Sequence, residues 1–124
     1  MAHILLIEDM PGVRDALGVV LTIAGHRIDT AGDGEEGLAK VRANAYDMVI
    51  CDIVMPRKDG TSVIIEAKAA KPALPILAVS GGAGGVTARQ ALLVASAKAD
   101  RTLEKPFSRE DLLTAVRETL SSPA

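Results

Sequence analysis

Short apolar runs alternate along this chain with longer segments of helical periodicity. Five runs are predicted to be strands, at residues 3–7, 27–31, 48–52, 76–80 and 101–104. The run at 48–52 is apolar up to its final Asp52, which is typical of a strand buried on both faces. The run at 27–31 alternates and is more polar, which indicates a strand near the edge of a sheet.

Helical segments separate the strands and follow the last one. The pattern predicts helices that begin near Pro11, Asp33, Thr61, Thr87 and Ser108. The second, fourth and fifth of these starts have an acid or amide three residues later, which is capping-box spacing. The third helix is predicted to span 61–71. Five strands alternating with five helices predict a single α/β domain over residues 1–124, with a parallel sheet covered by helices on both faces.

Composition narrows the class of protein. Hydrophobic residues make up 48% of the 124 residues and aromatic residues 2%, so aliphatic side chains must fill the core. The net charge of −2 provides no basic field for nucleic acid. A lone Cys51 excludes an internal disulfide and suits the reducing cytoplasm. With no apolar stretch near the ~20 residues of a membrane span and no basic leader, we expect a cytoplasmic protein without a membrane partner.

Polar side chains follow four of the predicted strands at their carboxyl ends. Glu8 and Asp9 follow the first strand, Asp52 ends the third, Ser80 ends the fourth, and Lys105 follows the fifth. The carboxyl ends of parallel strands lie at one edge of the sheet, where open α/β folds bind ligands. We therefore expect these side chains to form one site.

The charges of this site limit its chemistry. Two carboxylates about 4 Å apart repel by ~4 kcal/mol at an effective dielectric constant near 20, so the three acids require a proton or a cation. Oxygen donors without histidine or cysteine favour Mg²⁺ over zinc. Asp52 is a candidate nucleophile that accepts a phosphoryl group. Lys105 and Ser80 are candidate partners of its oxygens.

Taken together, these motifs resemble those of one signalling family. They are the acidic pair Glu8-Asp9, Asp52 within the segment CDIVMP, the turn Asp59-Gly60, Ser80, and Lys105-Pro106-Phe107. Over essentially its whole length the chain resembles a response-regulator receiver domain of the single-domain chemotaxis type. The resemblance implies a flavodoxin-like sheet with strand order 2-1-3-4-5.

The resemblance also implies a mechanism. Asp52 would accept a phosphoryl group from a phosphohistidine of a sensor histidine kinase or a histidine phosphotransfer protein. Asp9, Asp52 and the backbone carbonyl of Val54 would bind Mg²⁺ directly, and Glu8 would act on it through water. Ser80 and Lys105 would contact the phosphoryl group and switch the 81–86 loop and the fourth predicted helix. The domain would catalyse only its own phosphorylation and dephosphorylation, and would not turn over a substrate as an enzyme.

Three features depart from the family pattern. Thr102 occupies the position of an aromatic residue that usually turns inward on activation, so the usual output through this surface is in question. Ser80 and Lys105 are separated by 25 positions, about three more than we expect. Val54 and Gly82 stand where side chains of the family influence hydrolysis, and neither can orient a water. We therefore predict slow loss of the phosphoryl group.

Two other functions remain as alternatives. A phosphatase or mutase that uses an aspartyl phosphate needs a second acid two residues after the nucleophile, and Val54 argues against it. A receiver-like module that binds a protein without phosphorylation is compatible with Thr102. The last predicted helix ends near Leu120, so we expect no output domain within the chain. The output would then be a downstream protein target or phosphoryl relay, and not nucleic acid.

Overall fold

A parallel sheet forms the centre of the fold. The computed structural model describes residues 1–53, 60–81 and 99–121, with only the backbone described at residues 80, 81 and 105. In these ranges the strands are β1 (His3–Ile7), β2 (Arg27–Ala31), β3 (Met48–Asp52), β4 (Ile76–Gly81) and β5 (Arg101–Lys105). Their order across the sheet is β2-β1-β3-β4-β5, which confirms the predicted flavodoxin-like fold. The polar strand β2 lies at an edge, as predicted.

Helices cover the sheet where the sequence predicted them, with small differences at their ends. Within the described ranges they are α1 (Pro11–Ile23), α2 (Gly34–Ala43), α3 (Gly60–Ala70) and the C-terminal α4 (Arg109–Ser121). Helix α3 lies one residue earlier than predicted, and β4 and β5 each extend one residue further. The helix predicted to begin near Thr87 lies outside the described residues. Among the helices described, none is both long and apolar enough to cross a membrane.

Two apolar clusters, one on each face, hold the helices to the sheet. All five residues of β3 are buried, as expected for a central strand. On one face, Leu5 and Val49 pack with residues of α2 and α3. On the other, Leu6 and Ile50 pack with residues of α1 and α4. The alternation of side chains along each central strand thus supplies both clusters and explains why both faces are covered.

Local hydrogen bonds explain where two helices begin, and one glycine explains where a third helix ends. The Asp33 carboxylate accepts a hydrogen bond from the Glu36 amide at 2.8 Å and caps α2. At α4, the Ser108 hydroxyl accepts from the Asp111 amide at 3.0 Å, and the Asp111 carboxylate accepts from the Ser108 amide at 3.2 Å. Gly25, at φ 98°, lies in the left-handed region just after α1. These contacts confirm the predicted capping spacings of α2 and α4.

A polar cluster lies near the amino ends of β1 and β3. The Asp29 carboxylate accepts a hydrogen bond from the Tyr46 hydroxyl at 2.8 Å and lies 3.0 Å from Nε2 of His3. Burial, followed by the Asp29 contact, raises the pKa of Tyr46 to about 12. The Tyr46 hydrogen bond is the main cause that lowers the pKa of Asp29, and His3 adds to it. This cluster joins β1 and β2 to the segment before β3.

Candidate functional site

Three carboxylates meet at the carboxyl edge of the sheet. Strands β1 and β3 are neighbours, with Ile7 opposite Cys51. Glu8 and Asp9 directly follow β1, and Asp52 is the last residue of β3. One oxygen from each of the three carboxylates lies within 4.8 Å of the others. The structure therefore brings together the three acids that the sequence predicted.

Burial makes this cluster a suitable cation site. Glu8 is 1% exposed and Asp52 5% exposed, while Asp9 is half-buried. Two charged carboxylates no more than 4.8 Å apart repel by roughly 3.5 kcal/mol or more at an effective dielectric constant of 20, and burial increases the cost. A divalent cation removes that repulsion. The donors are all carboxylate oxygens, which fit Mg²⁺ better than a softer metal.

Hydrogen bonds order the turn that carries Glu8 and Asp9. The Glu8 amide donates to the Ala31 carbonyl at 3.0 Å, so the strand pairing with β2 reaches the site. The Met10 amide donates to the Glu8 carboxylate at 3.3 Å. The Arg14 guanidinium donates to the Glu8 carbonyl at 3.1 Å. Arg14 was not among the residues predicted for the site, because its only signal in the sequence is a basic residue five positions after Asp9.

The backbone at Asp52 is packed closely against the start of α3. The Gly60 amide donates to the Ile53 carbonyl at 2.7 Å. A Cβ atom at Gly60 would lie 2.1 Å from the Asp52 carbonyl oxygen and 2.5 Å from the Ile53 Cα. Only glycine permits this approach without a shift of the backbone. The sequence indicated a turn at Gly60, but not that its missing side chain makes room for the backbone of Asp52.

The ends of β4 and β5 continue the same edge of the sheet. Asp52 pairs with Val79, the residue before Ser80. Lys105 pairs with Gly81, the residue after Ser80. The backbone of both predicted phosphoryl-contacting residues therefore belongs to strand ends at the edge that carries the acidic cluster. The side chains of Ser80 and Lys105 are outside what the structure describes.

Several other predicted features fall outside the described residues. They include the Val54 carbonyl, Gly82, and all of the predicted 81–86 switch loop beyond Gly81. Thr102 is described and lies exposed on β5, opposite Ala78. The residue that replaces the usual aromatic therefore has a short polar side chain on the surface of an edge strand.

The strand order and the acidic edge define an α/β domain of the receiver type. A model of the response regulator receiver domain family matches residues 4–117, and the chain belongs to this family. Receiver domains act in two-component signalling, and acceptance of a phosphoryl group is typical of them. The family match confirms the resemblance that the motifs carry.

Two regulatory proteins of mycobacteria are among the curated relatives of this chain. The chain is 37% identical over 118 residues to response regulator MprA of Mycobacterium sp. strain KMS, covering 95% of this chain and 50% of the relative. It is 35% identical over 115 residues to the transcriptional regulatory protein TcrA of Mycobacterium tuberculosis, covering 93% of this chain and 44% of the relative. The chain thus spans about half the length of these relatives or less.

Solved receiver structures share the fold over nearly the whole chain. A CheY-like receiver domain of Methanospirillum hungatei has a TM-score of 0.89 at 26% identity, covering 97% of this chain and 94% of that one. The response regulator TrrA of Thermotoga maritima has a TM-score of 0.84 at 33% identity, covering 96% of this chain and 99% of that one. The TrrA structure is a complex with Mg²⁺ and beryllium fluoride.

Proposed function

We propose that Asp52 is the phosphoacceptor of this receiver domain and that the reaction depends on Mg²⁺. The observation that carries the proposal is the position of Asp52. It is 5% exposed, ends a fully buried strand, and has carboxylate oxygens of Glu8 and Asp9 within 4.8 Å. A nearly buried carboxylate among two others is costly unless it binds a cation, and a cation site beside a nucleophile suits phosphoryl transfer.

In the proposed reaction an oxygen of Asp52 attacks the phosphorus of a phosphohistidine. The new O–P bond forms as the N–P bond breaks, and the imidazole is the leaving group. Asp9, Asp52 and the Val54 carbonyl would bind Mg²⁺ directly, with Glu8 acting through water, and the bound ion would supply positive charge for the phosphoryl oxygens. Lys105 and Ser80 contribute an ammonium and a hydroxyl to the same oxygens. The rate gain comes from positioning and electrostatic stabilisation.

Phosphorylation changes the charge of Asp52 from about −1 to nearly −2 in a buried site. That change favours a conformation in which Ser80 and Lys105 lie closer to the phosphoryl group. We propose that the 81–86 loop and the helix predicted near Thr87 carry this shift to a protein partner.

The phosphoryl donor is a sensor histidine kinase or a histidine phosphotransfer protein. In this proposal residues 1–124 act as one receiver domain in the cytoplasm.

The test uses a small acyl phosphate as donor, with Mg²⁺, and intact mass as the measurement. We expect one phosphoryl adduct that disappears in Asp52→Asn and when EDTA removes Mg²⁺. Asp15→Asn is the matched control, because Asp15 is an exposed acid on α1 outside the acidic cluster. Failure of the folded wild-type protein to form an adduct would refute the proposal and favour phosphorylation-independent binding.

The lifetime of the adduct tests a second part of the proposal. With Val54 and Gly82 unable to orient a water, hydrolysis of the phosphoryl group is slow. We expect the adduct to persist well beyond seconds after the donor is removed. Replacing Val54 by Asn or Gly82 by Glu should shorten that lifetime. Decay of the wild-type adduct within seconds would contradict this part and leave the assignment of Asp52 intact.

A further inference from the structure

Asp100 joins three elements at the end of the sheet away from the acidic cluster. Its carboxylate oxygen Oδ2 accepts a hydrogen bond from the Ile76 amide at 2.7 Å and lies 2.7 Å from the Lys68 ammonium. Its amide donates to the Ile76 carbonyl at 3.0 Å. We call these contacts the Asp100 clamp. The clamp ties the start of β5 to the start of β4 and to the last turn of α3.

Strand β5 has little else in its own sequence to set its position. Its side chains at Arg101, Thr102 and Glu104 are exposed, and among its described side chains only Leu103 packs partly against the core. Register is specified strongly where an apolar face is buried and weakly in polar edge strands. The Asp100 carboxylate and amide both bond to one residue of β4, which holds the two strands in a single alignment.

The register of β5 decides where Lys105 lies. In the observed pairing Lys105 is opposite Gly81, at the carboxyl edge of the sheet. A shift of β5 by two residues would move Lys105 by about 6.6 Å along the strand and away from that alignment. Asp100 is the residue directly before β5, and Lys105 is the last residue of β5. The position of Asp100 therefore determines the position of Lys105 through this short extended segment.

We infer that Asp100 is a positioning residue for phosphoryl transfer, because it fixes the register of β5 that places Lys105 at the site. The inference rests on the proposed function of Lys105, and it adds a residue that touches neither the phosphoryl group nor the metal. Lys68 supports it: the Lys68 and Asp100 side chains are only 17% and 22% exposed, so their ion pair is partly shielded from solvent.

The first measurement reads the register directly by NMR and needs no phosphoryl donor. In the wild-type protein, backbone NOEs should connect the facing pairs Leu77–Arg101 and Val79–Leu103. Asp100→Ala should weaken or displace these NOEs, and Asp100→Asn should keep them because its amide oxygen still accepts from Ile76. An unchanged NOE pattern in folded Asp100→Ala would overturn the inference.

The second measurement is the rate of phosphorylation by a small acyl phosphate, per folded molecule. Asp100→Ala should slow it about tenfold, since a misplacement near 1 Å can cost up to ~100-fold. Mg²⁺ affinity should stay unchanged, because the acidic cluster lies on β1 and β3. A purely structural role would lower stability and leave the rate per folded molecule unaltered. Asp100→Asn should restore most of the rate.

A double-mutant cycle links the effect to Lys105. In a Lys105→Met background, Asp100→Ala should slow phosphorylation no further, because the misplaced group is already absent. Equal slowing in both backgrounds would overturn the inference.

Lys40→Met is the control: Lys40 donates to the Thr30 carbonyl of β2 and pairs with Glu36, at the other edge of the sheet. It should lower stability without changing the rate.

The two measurements separate this inference from the proposed function. If the wild-type protein takes up no phosphoryl group, the proposed function of Asp52 fails. The register of β5, measured by the NOEs, still decides whether Asp100 positions this strand. If the wild-type protein is phosphorylated and Asp100→Ala reacts at the wild-type rate, only the proposed role of Asp100 fails.

Lys68→Met provides a milder variant if Asp100→Ala does not fold. It should displace the same NOEs by a smaller amount.

Discussion

Replacing Gly60 by alanine should destabilise the protein and disturb the backbone of the proposed phosphoacceptor. The new Cβ would lie 2.1 Å from the Asp52 carbonyl oxygen and 2.5 Å from the Ile53 Cα. Both neighbours are backbone atoms, so no flexible side chain can turn away to relieve the overlap. Helix α3 and strand β3 must move apart, and Asp52 is the residue at the point of contact.

The size of the effect follows from two opposed terms. Overpacking of this kind costs typically 1–3 kcal/mol. Alanine in place of glycine in a helix returns about 0.5–1 kcal/mol. Because the clash is with backbone, we take the upper end and expect a net loss of about 2 kcal/mol in the free energy of unfolding. For a domain of this size that corresponds to a fall of roughly 8 °C in Tm.

Urea unfolding followed by circular dichroism measures this change, and Gly18→Ala is the matched control. Gly18 lies inside α1, and a Cβ there would have nothing within 4 Å. That variant should gain about 0.5–1 kcal/mol from helix propensity alone. The reasoning would be refuted if Gly60→Ala were as stable as the wild type, or if both variants shifted the midpoint in the same direction.

Two further predictions concern the pH response and a helix cap. The protein has one tyrosine and no tryptophan, so phenolate absorbance reports Tyr46 alone. Its titration midpoint should lie near 12, and Asp29→Asn should lower it. The pKa of Tyr46 is higher in the folded than in the unfolded protein, so the stability that the neutral phenol contributes is complete below about pH 10 and is lost as the pH rises through 12. A wild-type titration midpoint near 10 would contradict the burial of Tyr46 and its contact with Asp29. Asp33→Ala removes the acceptor of the Glu36 amide and should cost about 1 kcal/mol in urea unfolding. Asp15→Ala, an exposed acid without a capping bond, should change stability by less than half of that.

Periodicity and local capping signals were sufficient to place most elements of this fold. The strands and the four described helices lie within a residue or so of their predicted positions, because each is determined by nearby residues. The cap at Asp33 and the left-handed Gly25 just after α1 depend on residues within a few positions of the chain. The order of the strands came from the family resemblance, since alternation alone does not say which strands are neighbours.

The residues of the candidate site were identified from the strand ends, because all parallel strands point their carboxyl ends to one edge. The approach of the three acids to within 4.8 Å of one another and the burial of Glu8 and Asp52 required the packed structure. These quantities depend on strand register and side-chain direction, which no local pattern encodes.

Three residues gained a role only from tertiary contacts. Arg14 bonds to the Glu8 carbonyl, Gly60 makes room for the Asp52 backbone, and Asp100 bonds to Ile76 and Lys68. From the sequence alone Gly60 indicated a turn, and neither Arg14 nor Asp100 had an assigned role. The Asp100–Ile76 contact spans 24 positions of the chain, and the shorter-range contacts of Arg14 and Gly60 form only when a helix packs against a strand end. Local sequence thus decides which elements form, and packing decides which side chains can act together.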